Sequence, residues 1–144
     1  GDYNVIHLSV HGMFNSAEPM LSCLKLDKGG QDDGNLTAAE MFGLPLEMTH
    51  LVVLSACETG KVEATHANEI LGVVRALLYA GANTLILSSW KVDADSTALW
   101  METFYREARD KPLSEAARLA LMTVKKHPDY NHPYYWGPFL MVGK

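Results

Sequence analysis

Two residues have the types that peptide hydrolysis requires. His11 follows the apolar run Tyr3 to Val10, and Cys57 follows another, Leu51 to Ala56. Only the thiolate of a cysteine is a good nucleophile, and a free thiol is mostly protonated at neutral pH, so a neighbour must take the proton. Histidine suits that task because its pKa lies close to ambient pH. Two neighbouring parallel strands bring such a pair together when each residue is the first after its strand, and the sequence sets His11 directly after Val10 and Cys57 directly after Ala56. Gly12 has no Cβ, so a substrate carbonyl can come close to its N–H. That N–H and the one of Cys57 form a pair of donors for a developing oxyanion. Gly60 lets the chain turn away after the nucleophile.

The elements that must hold these residues alternate between strand and helix. Tyr3 to Val10 reads as a strand ending in a turn at His11 and Gly12, and Leu21 to Leu26 as a weaker, shorter strand. The Gly, Asp and Asn density of Asp27 to Asn35 marks an exposed loop. Thr37 caps a short helix, Ala38 to Phe42, with Glu40 three positions after the cap. Leu51 to Ala56 is an apolar run too short for a helix, which predicts a parallel strand buried on both faces. Helical spacing recurs in Asn68 to Ala80, Ser96 to Arg109 and Leu113 to Lys126; Thr84 to Ser89 and Phe139 to Val142 read as strands. The pattern predicts an α/β sandwich with functional residues at the carboxyl ends of parallel strands, and no internal repeat or linker marks a domain boundary.

Composition narrows the function. The chain has 144 residues, 48% hydrophobic and 20% charged, enough for a sizeable core. A formal charge of −5 with no Lys/Arg run argues against nucleic acid as a direct ligand. No apolar run reaches the roughly 18 residues of a bilayer crossing, so no membrane role is expected. Two cysteines give no disulfide framework, and a reducing, cytoplasmic setting is the default. No residue pattern calls for a metal or an organic cofactor.

Several stretches closely resemble the motifs of the CHAT domains, a branch of the caspase, separase and gingipain superfamily. They are Ser9 to Gly12 (Ser-Val-His-Gly), Leu36 to Glu40, Leu54 to Gly60 (Leu-Ser-Ala-Cys-Glu-Thr-Gly), Tyr79 to Ala82 with Ser89 to Asp93, and His132 to Phe139. They span nearly the whole chain in the expected order. In the caspase signature the histidine lies about 50 residues before an Ala-Cys pair, and the spacing here is similar. The resemblance implies a caspase-like three-layer sandwich with a mainly parallel sheet flanked by helices. It also implies a thiol protease in which His11 is the general base, Cys57 the nucleophile, and the N–H groups of Gly12 and Cys57 the oxyanion hole.

By the same resemblance, Ser89, Trp90 and Lys91 form the segment that pairs with the substrate backbone and walls the pocket before the cut. Glu58, Asp93 and Asp95 against Lys91 favour a basic or large apolar residue there. Family members carry tetratricopeptide or other sensing repeats upstream, so the expected partners are a protein or peptide substrate and such a sensor. A caspase-like sheet has two strands before the His-bearing one, and residues 1–144 are expected to be the C-terminal catalytic part of the domain. The first strand would then expose an unpaired apolar edge, prone to self-association.

Plainer roles fit the remaining candidates. His7 lies four residues before His11, about 13 Å along a strand, too far for a shared metal, so it reads as a packed strand histidine. His50, His66, His127 and His132 suit surface or turn roles, and Cys23 a small buried hydrophobe. Trp90 can stack on a substrate residue, whereas Trp100 and Trp136 suit core or edge anchors. The seven methionines are scattered gap-fillers. Two rival functions stand beside peptidase chemistry. One is a silent scaffold that keeps the fold. The other is a redox sensor at Cys57, disfavoured because Cys23 is distant in sequence.

Overall fold

The alternation in β1 (Val5–Met13) sorts its residues onto two faces. Ile6, Leu8 and Val10 pack against the apolar core, while Val5, His7, Ser9, His11 and Met13 are exposed. The computed structural model describes residues 3–15, 17–30, 32–58 and 66–143; for 56–58 and 66–70 it describes the backbone. Among these residues one sheet holds β1 together with β2 (Cys23–Lys25), β3 (Asn35–Thr37), β4 (Leu51–Glu58), β5 (Thr84–Ser88) and β6 (Phe139–Gly143). The order is β3-β2-β1-β4-β5-β6. β1 and β4 run parallel, as do β4 and β5; β2 is antiparallel to both β1 and β3. The result is the expected mixed α/β class, a mostly parallel sheet flanked by helices.

The chain divides into two compact units, Gly1–Ser89 with Leu140–Lys144, and Trp90–Phe139. In the first, Val52 and Leu54 of β4 and Leu85 and Leu87 of β5 share a core with Val73, Ala76 and Leu77 of α2 (His66–Tyr79) and with Ala38 and Met41 of α1 (Ala38–Met41). Leu51 and Val53, on the other face of β4, are buried too, which explains the unbroken apolar run. α1 begins with the capping box foreseen at Thr37 and Glu40: Thr37 Oγ1 accepts from the Glu40 N–H at 3.2 Å, and the Thr37 N–H donates to Glu40 Oε2 at 2.7 Å. α2 ends in a Schellman arrangement, with the Ala82 N–H on the Leu77 carbonyl at 3.1 Å and the Gly81 N–H on the Leu78 carbonyl at 3.2 Å.

The second unit packs α3 (Ala94–Glu107) against α4 (Leu113–Lys126). Trp100, Thr103 and Phe104 of α3 and Ala116, Ala120 and Val124 of α4 are buried, at the three- and four-residue spacing of helix faces. Trp100 stacks on Phe104 at 5.2 Å and meets Phe139 at 4.5 Å, the core role expected of it. Trp136 is half-buried beneath Lys125 Nζ, 4.8 Å from its ring.

Several boundaries differ from expectation. β1 and β4 run on through Met13 and Glu58, so His11 and Cys57 lie inside strands instead of just after them. Continuous pairing is the reason: β4 pairs with β1 as far as Gly12 and Glu58, and β2 pairs with β1 from His11 to Met13. β2 covers only the His11 to Met13 end of β1, and among the described residues Val5 to Val10 are paired on the β4 side alone. β3 and the short helix α5 (Pro133–Trp136) were not legible in the sequence.

Candidate active site

His11 is exposed on β1, and the register of the parallel ladder sets it directly across from Cys57 on β4. Neighbouring strands lie about 4.8 Å apart, and paired positions share a face, so the two positions are neighbours on the face where His11 is exposed. Gly12, buried, is paired with Glu58 one step further along. One row earlier on the His11 face, Ser9 is paired with Ser55. Ser9, Val10, His11 and Ser55 line an open depression of about 220 Å³. The surface around His11 is therefore concave and hydroxyl-lined.

The expected substrate-binding residues divide between the two units. Ser89 directly follows β5, and its hydroxyl and that of Ser88 are buried without a hydrogen-bond partner among the described residues. In the second unit, Trp90 is 41% exposed. Its Nε1–H donates to the Tyr134 carbonyl at 3.1 Å, and the Tyr134 hydroxyl donates to the Lys91 carbonyl at 2.8 Å. Lys91 and Asp95 are exposed. Asp93 has a structural task besides its charge: it caps α3, its Oδ2 accepting from the Ser96 N–H at 2.9 Å. The side chains of Cys57 and Glu58, and Gly60 entirely, lie outside the described residues.

Sequence reasoning passed over one neighbour of His11. Lys25 on β2 is paired with it from the side opposite Cys57, and Asn35 on β3 is paired with Lys25. Lys25 stood inside an expected strand, but no local signal gives its partner across an antiparallel pairing. His7, two rows back from His11 on the same face, is exposed overall, but partial desolvation of its ring lowers its pKa. Among the described residues no group of three or more His, Cys, Asp or Glu side chains is placed to hold a metal, and no helix is long and apolar enough to cross a membrane.

A mostly parallel, six-stranded α/β sheet flanked by helices is consistent with a caspase-like fold. The model of the CHAT domain matches residues 1–144, and the chain belongs to that family, which is related to the caspase-like peptidases. It is similar to the human protein named Tetratricopeptide repeat protein 28, 29% identical over 109 residues, which is 75% of this chain and 4% of that protein. The mouse protein of the same name is 30% identical over 110 residues, again 75% of this chain and 4% of the relative. The chain thus spans a small fraction of the length of the curated relatives it matches.

Proposed function

We propose that this domain is a cysteine endopeptidase working through His11 and Cys57. The observation that carries this is the register pairing of those two positions beside an open depression. In the first step the imidazole takes the thiol proton and the sulfur attacks the scissile carbonyl carbon. The Gly12 and Cys57 N–H groups stabilise the oxyanion. As the C–N bond breaks, the departing nitrogen takes the proton from the imidazolium, leaving a thioester. Water, deprotonated by the same imidazole, then attacks the thioester; the new carboxyl half departs and the thiol is restored.

Ser89, Trp90 and Lys91 serve the residues before the cut, with Glu58, Asp93 and Asp95 supplying negative charge near that side chain. The relatives are tetratricopeptide repeat proteins by name, which supports a repeat segment, in the same or a partner chain, as the sensor that switches the peptidase on. A thiol nucleophile suits a reducing, cytoplasmic compartment. The test is incubation of the full-length protein with a peptide library, as wild type, Cys57→Ala and His11→Ala. Each substitution is expected to lower cleavage by about 10²-fold or more; cleavage unchanged in Cys57→Ala ends the assignment.

A further inference from the structure

Lys25 extends the row that holds the dyad. The strand pairings run Asn35 to Lys25, Lys25 to His11 and His11 to Cys57, one continuous row across β3, β2, β1 and β4. Paired positions share a face, so the row lies on the side of the sheet where His11 is exposed. The ammonium is braced: Lys25 Nζ donates to Asn35 Oδ1, Asn35 Nδ2 donates to Asp33 Oδ2 at 3.0 Å, and the Asn35 N–H donates to Asp33 Oδ1 at 2.8 Å. Asn35 bridges the ammonium and the Asp33 carboxylate and takes one of the three donors of Lys25. A side chain that ordinarily loses much rotamer freedom on binding is therefore already held in place.

The direction of the reaction orients this row. The imidazole must hand its proton to the departing nitrogen, so the leaving half of the substrate lies on the His11 side of Cys57. The next position on that side is Lys25. Two strand spacings separate the columns of Cys57 and Lys25, about 10 Å, and an extended peptide advances about 3.3 Å per residue. We infer that Lys25 is a specificity-determining residue, selecting substrates with Asp or Glu within the first three positions after the cut. This rests on the cysteine-peptidase function proposed above.

The test uses full-length protein, a proteome-derived peptide library and mass-spectrometric reading of new termini. Wild-type cuts are expected to be enriched in Asp and Glu at one of those three positions by ~2- to 5-fold, the range of a partly exposed ion pair. Lys25→Met, which keeps the apolar stem, should erase the enrichment; Lys25→Glu should turn it toward Lys and Arg; Asn35→Ala should weaken it. Cys57-dependent cutting with no acidic enrichment, or with enrichment unchanged in Lys25→Met, overturns the inference while leaving the peptidase intact. No Cys57-dependent cutting at all overturns the peptidase and this inference with it. Should Lys25→Met fail to fold, salt decides. Added NaCl should lower kcat/KM for peptides acidic in that segment more than for matched neutral ones, and equal sensitivity refutes the role.

Discussion

Replacing Gly81 with alanine tests how the turn out of α2 feeds β5, the strand beside β4. Gly81 has φ +108°, a backbone angle that an L side chain rarely adopts, and a Cβ there would lie 2.8 Å from the Glu47 nitrogen and 2.9 Å from its Cα. The backbone conformation alone costs about 1–2 kcal/mol. The contact is with main chain instead of a flexible side-chain tip, so the segment at Leu46 and Glu47 must shift, at about 1–3 kcal/mol by analogy with overpacked cores. Together these predict a loss of roughly 2–4 kcal/mol, or a melting temperature lower by roughly 4–16 °C for a chain of this size. Two controls separate the contributions. Gly30→Ala meets nothing within 4 Å but has φ +61°, so it carries the conformational part alone. Gly29→Ala meets nothing and has no positive φ, and should stay within about 0.5 kcal/mol of wild type. The assay is denaturant and thermal unfolding of the purified chain by circular dichroism. Gly81→Ala no worse than Gly30→Ala would refute the close approach to Glu47.

Asp93→Ala removes the cap of α3 and should destabilise by about 1 kcal/mol; restoring stability with Asp93→Ser without restoring any lost preference for basic substrates would show that the carboxylate has a second task. For His7, desolvation depresses the pKa in the folded state, so the unfolded chain binds the extra proton first. Stability from this group is therefore full above about pH 6.5 and falls as pH drops through that value. The difference in melting temperature between pH 7.5 and 5.5 should shrink in His7→Gln, and an unchanged difference removes His7 as the cause.

The parts of the fold legible in the sequence are those with a local signature. α4 emerges over Leu113–Lys126 because its apolar residues repeat at helical spacing, and β4 because an apolar run of that length suits a strand buried on both faces. β3 escaped because three residues, Asn35 to Thr37, hold too little pattern to stand out from the preceding loop. β1 was cut short because Gly12 reads as a turn, whereas pairing on both sides keeps it extended. His11 and Cys57 were legible by residue type and flanking strands. Lys25 was not, since its nearness to His11 is a property of pairing between distant segments. Asp93 was read for its charge, though an Asp just before a helical pattern is also a capping signal.

The alternation along β2 also has a bearing on how the row of Asn35, Lys25, His11 and Cys57 stays aligned. Leu24, only 1% exposed, sits in the core opposite Gly12, while Lys25 next to it belongs to the open face. Sliding this ribbon by a single residue would drive an ammonium into oil, at several kcal/mol, and lift a leucine into water, at about 2 kcal/mol. Greasy packing on the hidden side thus acts as the ruler that keeps charged groups in step on the visible one.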